Sequence, residues 1–310
     1  MENKDDLLVI IGPTAIGKTT ISINIAKKLN GEIISADSMQ IYKYMDIGTA
    51  KVTLEEMDHV PHYMLDMVYP DEEFTVADFK NKAEKHIEKI NKSDKLPILV
   101  GGTGLYLNSI VYELNFTKVE ANEEFRKKYD YLADMYGNQY IHDELSKVDA
   151  VSANRININD RQRIIRALEI YHETGKPMSY YNKNFRKETD KYNLTMIGLT
   201  MDRAKLYSRI NRRVDLMLEE GLIDEVRKLM DMGYGKDLVS MQGIGYKEII
   251  SYLEGETKLD ETIEMLKRNT RRYAKRQLTW FRRDNRIKWI DINKYDSIEK
   301  ISETIISYIK

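Results

Sequence analysis

The eight residues GPTAIGKT, Gly12 to Thr19, constrain this chain more than any other stretch. They fit G-x-x-x-x-G-K-T without a gap, follow the apolar run LLVIIG, and open a segment of helical spacing, Thr19–Leu29, with Gly31 as its stop. A strand, a glycine loop and a helix in that order make a phosphate cradle. The glycines let the backbone wrap closely, and the helix N-terminus adds positive partial charge. Lys18 is placed to pair with terminal phosphate oxygens, and Thr19 to hold Mg²⁺. Gly12, Pro13, Thr14, Ala15, Ile16, Gly17, Lys18 and Thr19 therefore form the expected phosphate-binding set. The motif alone does not say whose phosphates they hold.

Further apolar runs follow: EIISAD (Glu32–Asp37), PILVGG (Pro97–Gly102) and LTMIGLT (Leu194–Thr200), with a closing strand near Arg286–Ile290. Thr75–Ile90 has amphipathic spacing, with Thr75 and Asp78 placed as a capping-box variant. Strands apolar on both faces, alternating with helices, predict a parallel sheet covered on both sides. The fold class is α/β, P-loop NTPase-like. Between Glu113 and Lys191 the pattern changes to charged helical segments: Glu123–Met135, Tyr140–Lys147 and Asp160–Glu173, the last ended by Gly175 and Pro177. This predicts a helical insertion domain, residues 114–191, inside a core built from 1–113 and 192–310.

The 310 residues include no cysteine, which excludes disulfides and cysteine-based zinc sites. No run of about 18 apolar residues predicts a membrane span. The start, MENKDDLLVIIG, does not read as a signal peptide, so a cytoplasmic protein is expected. The net charge of −1 hides a polarised distribution. Between Lys267 and Arg286 there are nine basic residues and one acid, an excess of +8 there against −9 elsewhere. Such asymmetry points to a polyanionic partner. Tyr273, Trp280 and Phe281 interleave with those arginines, an arrangement suited to stacking on unpaired bases. Tyr273 and Trp280 are seven apart and share a helix face, so they are expected to be buried, with the arginines outward.

A P-loop kinase would also need a strand-end carboxylate to position its metal. PILVGG runs into GGTG with none, whereas the second strand ends in Asp37. From the residues alone, Asp37 is either a metal-positioning group or a general base.

Seven stretches together resemble the tRNA dimethylallyltransferase (tRNA isopentenyltransferase) family: GPTAIGKT, ISADSMQIYKYMDIGTAK, VGGTGLYL, NDRQRIIRALEIYHETGKP, RINRRVDLMLEEGLIDEV, QGIGYKE and RNTRRYAKRQLTWFRRD. They run in family order over nearly the whole chain. The resemblance implies that the loop holds the diphosphate of dimethylallyl diphosphate, with Mg²⁺ as cofactor, and that no phosphoryl group moves. The prenyl carbon goes to N6 of the adenosine 3′-adjacent to the anticodon, in tRNAs reading codons that begin with U. By the same resemblance Asp37 is the general base, Arg213 in RINRR clamps the diphosphate, and Thr103 stands near the reacting amine or acts as a helix cap. It assigns tRNA contact to Asp37, Ser38, Met39, Gln40 and Thr103, to Arg161, Gln162, Arg163, Ile164 and Ile165, and to Met241, Gln242, Gly243, Ile244, Gly245, Tyr246 and Lys247. The basic segment adds Arg271, Arg272 and Arg276. The expected partners are a tRNA anticodon stem–loop and the prenyl donor, without a membrane, and the expected state is a monomer.

Two departures from the family pattern fall in the insertion: Ala150 stands where proline is usual, and ININ replaces a stretch with His and Pro. The zinc finger of some eukaryotic relatives is ruled out by the absence of cysteine. Three alternatives remain at this stage: a small-molecule kinase, prenyl transfer to free AMP or ADP, and a non-catalytic RNA-binding module. The helical insertion and the basic segment favour tRNA over free nucleotide.

Overall fold

The structure, a computed structural model, describes residues 4–114, 119–182 and 187–309. The first three residues of the N-terminal stretch read above lie outside them. Two compact units divide the chain. One holds the chain up to Ile110 and from Asp190 onward, and the other spans Val111–Thr189.

In the first unit, β1 (Asp5–Ile11) leads through the glycine loop to α1 (Lys18–Leu29) and β2 (Gly31–Ala36). A short helix α2 (Leu54–Met57), a two-residue strand β3 (His62–Tyr63), α3 (Val76–Asn91), β4 (Leu96–Gly101) and α4 (Gly104–Val111) follow. The strand order is β3-β2-β4-β1-β5-β6, with β5 spanning Tyr192–Thr200 and β6 Lys288–Asp291. Every pairing is parallel, with Ile10 in register with Val100 and Ile197. Leu7 to Ile11 are all at most 1% exposed, as a strand covered on both faces must be. Helices supply that cover: Ile21 and Ile25 of α1 pack in one core with Leu8 and Ile10. This is the α/β architecture the sequence predicts. Parallel strands put their C-terminal ends on one rim, so Gly12, Asp37 and Gly102 emerge side by side there, where ligands of open α/β sheets bind.

Local chemistry explains most boundaries. Thr75 and Asp78 form the expected reciprocal cap of α3: Asp78 N donates to Thr75 Oγ1 (3.2 Å) and Thr75 N to Asp78 Oδ2 (2.9 Å). α1 ends at Leu29 as expected, but its stop is Asn30 in the left-handed turn (φ 51°), and Gly31 already belongs to β2. The closing strand lies at Lys288–Asp291, two residues beyond the expected start. α2 and β3 were not visible in the sequence; two residues of strand carry no period to read.

The second unit contains α5 (Glu123–Tyr136), α6 (Asn138–Val148), α7 (Ala150–Ala153), α8 (Arg161–Thr174) and α9 (Met178–Tyr181). Phe125, Ile141, Leu145, Ile164, Ile165 and Leu168 form its core. Glu169 is fully buried within it and accepts from Asn122 N (2.8 Å) and Arg126 Nε (2.9 Å), and it also pairs with Arg166. Ala150 opens α7, and the Asp149 carboxylate does the capping there, accepting from Ser152 N and Ser179 N at 2.9 Å each. The chain enters and leaves this unit through one short antiparallel bridge, Tyr112 to Glu188, flanked by Glu113 N–Lys187 O (2.8 Å) and Thr189 N–Val111 O (3.3 Å).

After β5 the first unit resumes with α10 (Arg203–Glu219), α11 (Leu222–Asp231), α12 (Tyr246–Leu253), the 23-residue α13 (Leu259–Phe281) and, after β6, α14 (Ile298–Ile306).

Candidate active site

The glycine loop adopts the geometry of an anion nest. Ala15 (φ 62°) and Gly17 (φ 99°) take left-handed backbone, which turns successive amides inward. Two loop amides already have partners: Thr14 N donates to Gln277 Oε1 (3.0 Å) and Ile16 N to Pro13 O (3.4 Å). The first-turn amides of α1 have no intrahelical acceptor and are open to an anion. Lys18 folds back over the loop and donates to the carbonyls of Gly12 and Pro13 at 3.0 Å each. Burial, with Arg213 nearby, lowers its pKa to about 8, while Asp37 works in the opposite direction.

A cavity of about 120 Å³ faces this loop. Thr14, Ala15, Gly17, Lys18 and Thr19 line it, together with Asp37, Gln40, Arg213, Tyr273 and Gln277. It shares Gly17, Thr19 and Arg213 with a wider cleft of about 1290 Å³, lined also by Arg209 and Arg212. Among the arginines of RINRR, Arg213 is thus the one that reaches the inner cavity. Burial lowers its pKa, opposed by Asp37 across the cavity. The Arg209 guanidinium lies over Gly17, and Arg212 is exposed.

Asp37 sits just past β2 and is half-buried. Its Oδ1 accepts from Met39 N (2.9 Å), a local turn that fixes the side chain; among the described residues Oδ2 accepts no hydrogen bond. Thr103 does not use its hydroxyl to cap α4. That oxygen accepts from Ser38 N (3.1 Å) and donates to Ser38 Oγ (3.3 Å), tying the two strand ends together. Gln40 donates to Thr49 O and Ala50 O, both at 3.2 Å, and accepts from Ser35 Oγ (3.0 Å), so its amide is used inside the protein. Met39 packs against Gly243.

The remaining sequence-named residues divide by exposure. Gln162, Arg163, Gln242, Lys247, Arg272 and Arg276 are exposed. Ile164, Ile165, Met241 and Tyr246 are at most 4% exposed and belong to the two helical cores. Their side chains are packed inward, because the stretches containing them are amphipathic and the apolar members face the core. Gly245 is also buried, and Gly243 and Ile244 are half-buried. Arg161 is engaged by Asn138 Oδ1 (3.0 Å) and Asp134 (2.7 Å). Arg271 is half-buried and donates to Asn211 Oδ1 (2.6 Å). Tyr273 and Trp280 are half-buried rather than buried, because the face they share meets the glycine loops and the cavity instead of a closed core.

Two side chains that shape the site escape sequence reasoning. Gln277 joins the two glycine loops. Glu225 accepts from the amides of Asp46 (3.0 Å), Ile47 (2.7 Å) and Gly48 (3.0 Å) and from the Tyr246 hydroxyl (2.7 Å), so it shapes the loop that ends in the cavity-lining Thr49 and Ala50. Both sit in amphipathic helices as ordinary polar residues, and their partners lie far away in sequence. No local signal marks them.

An all-parallel sheet with a phosphate-type loop, a carboxylate opposite it and a long basic helix alongside defines a P-loop-fold enzyme that handles an anionic leaving or transferring group. The comparisons are more specific. The sequence model of the IPP transferase family matches residues 40–284. The chain is 55% identical to a tRNA dimethylallyltransferase of Acetivibrio thermocellus, covering 98% of this chain and 97% of that one. It is 54% identical to one of Carboxydothermus hydrogenoformans, at 98% and 97% coverage. The crystal structure of the full-length tRNA isopentenylpyrophosphate transferase of Bacillus halodurans aligns with a TM-score of 0.73 at 50% identity, over 99% of this chain and 97% of that one. A eukaryotic dimethylallyltransferase acting on tRNA aligns with a TM-score of 0.81 at 32% identity, over 98% of this chain and 80% of that one. The chain belongs to the IPP transferase family.

Proposed function

We propose that this protein transfers a dimethylallyl group from dimethylallyl diphosphate to N6 of the adenosine 3′-adjacent to the anticodon of tRNA. The observation that carries the reading is one cavity holding Asp37 together with Lys18 and Arg213. The allylic C1–O bond breaks and its electron pair leaves with diphosphate. The developing charge falls on Lys18, Arg213 and the open amides of the loop. The N6 lone pair bonds to C1, and the N6 proton passes to Asp37. Thr103, bonded to Ser38, holds the strand ends that frame the acceptor. A stacked base cannot reach this cavity, so the adenine is extruded; an unpaired loop base makes that cheap.

The residues fit Mg²⁺. The Thr19 hydroxyl lines the cavity beside Lys18 and would hold the cation, leaving Asp37 free to take the proton, and among the described residues no group of three carboxylates or imidazoles could cage a metal alone. A cation held by one or two protein oxygens and by phosphate oxygens is the usual magnesium arrangement. When bound it neutralises the leaving diphosphate.

Exposed Arg272, Lys275 and Arg276 of α13 supply backbone affinity for RNA, with Gln162 and Arg163 of α8 and Gln242 and Lys247 adding contacts. No helix among the described residues is long and apolar enough to cross a membrane. Action in the cytoplasm as a monomer completes the reading.

The test is incubation with labelled dimethylallyl diphosphate, ATP and either tRNA or AMP. Label enters tRNA alone and diphosphate is released. Label in AMP, or phosphate from ATP, would replace this reading with another acceptor or with a kinase.

A further inference from the structure

The inner face of α13 meets the GGTG turn residue by residue. The Tyr273 side chain lies beside Thr103 and Gln277. Gln277, 5% exposed, donates from Nε2 to Gly102 O (3.0 Å) and accepts from Thr14 N at Oε1 (3.0 Å). The Trp280 ring lies on Gly104. A Cβ at Gly102 would stand 2.2 Å from Gln277 Nε2, and one at Gly104 would stand 2.4 Å from the Trp280 ring. The glycines of this turn are therefore demanded by the helix that packs on them, while Thr103 between them bonds to Ser38 at the end of the neighbouring strand.

We infer that Gln277 is a positioning residue: its carboxamide sets the phosphate-binding loop in register with the turn carrying Thr103, and so fixes the donor against the acceptor. This rests on the prenyl-transfer reading above. The amide serves both loops because it accepts through its oxygen and donates through its nitrogen. The reacting atoms come from opposite sides of this staple, and a shift of about 1 Å between them costs about 10²-fold in rate. The staple also engages the Thr14 amide, which leaves the later loop amides, at the helix start, for the diphosphate.

The experiment separates the two halves of the staple. Gln277→Glu keeps an acceptor for Thr14 and loses the donor to Gly102; Gln277→Leu loses both. Kd for inorganic diphosphate with Mg²⁺, measured by calorimetry without RNA, reads the loop. kcat with dimethylallyl diphosphate and an anticodon stem–loop reads the register. Gln277→Glu lowers kcat at saturating donor about 10²-fold; its added negative charge lines the diphosphate cavity and raises the diphosphate Kd as well, so kcat is the readout for this variant. Gln277→Leu also raises that Kd about tenfold. Gly102→Ala, which expels the same side chain from the other side, behaves as Gln277→Leu and carries the test should that variant not fold. Unchanged kcat in Gln277→Glu, or losses that merely track the folded fraction in a thermal melt, would overturn the inference. Absence of prenyl transfer by the wild type would instead sink the function, and the diphosphate measurements would still judge the loop half of the staple.

Discussion

Helices α8 and α13 both carry arginines close together in sequence, and they use them differently. On α8, Arg161 is held by Asp134 and Asn138, and Arg166 by buried Glu169 and by Val119 O (2.9 Å). Only Arg163 points out, 3.5 Å from Asp160. On α13, Arg272, Lys275 and Arg276 are exposed, and among the described residues none has a carboxylate within ion-pair distance. Clustered arginines are a structural device in the insertion, whereas Arg272 and Arg276 in the core are exposed without an acid partner among the described residues. What decides it is the presence of a buried or neighbouring acid, which helical spacing does not reveal. The site repeats the second pattern: Asp37, Lys18 and Arg213 face a common cavity with no ion pair between them among the described contacts.

The sharpest test concerns that uncommitted charge. Asp37→Asn retains the local turn through an amide oxygen but cannot take a proton. Turnover in single-turnover prenylation falls about 10²- to 10⁴-fold, while stem–loop affinity by fluorescence anisotropy stays near wild type. A parallel collapse of binding would make Asp37 an RNA anchor instead.

On the other side of the comparison, Glu169→Ala strands two guanidinium groups and an amide in the insertion. Removing one partner of a buried pair costs about 3 kcal/mol, which a denaturant titration can read. Burial alone raises the Glu169 pKa, but hydrogen bonds from Arg126, Arg166 and Asn122 outweigh it and hold the carboxyl below its ordinary 4.5. Its stabilisation is therefore complete above about pH 4.5 and is lost as the pH falls through the lower folded value. A gap between wild type and variant that persisted undiminished down to pH 2 would remove this account.

The smallest effect contrasts the two helices directly. Arg272→Gln, Lys275→Gln and Arg276→Gln together reduce the slope of log K against log salt by about 2 for a single-stranded loop, whereas Arg163→Gln reduces it by about 0.7. Equal slopes in all variants would exclude α13 from the interface.

How much of this was legible beforehand follows the same division. The β1–loop–α1 unit, the Thr75 cap and the insertion helices were readable, because each is written in consecutive residues. So was Asp37 at a strand end. Gln277 and Glu225 were not: each is one polar residue in an amphipathic helix, bonded to a loop about 180 or more positions away. Neither were the acids that engage Arg161 and Arg166. Tyr273 and Trp280 share a face, which ordinarily means burial; here Tyr273 borders the cavity and stays partly open, while Trp280 packs on Gly104.

The single bridge at Tyr112 and Glu188 has a consequence for how such a chain can change. Because the polypeptide departs and comes back through the same doorway, helices beyond it can be lengthened, trimmed or exchanged without shifting the ends of α4 and β5. The sheet and its chemistry can stay fixed while the appended bundle is rebuilt.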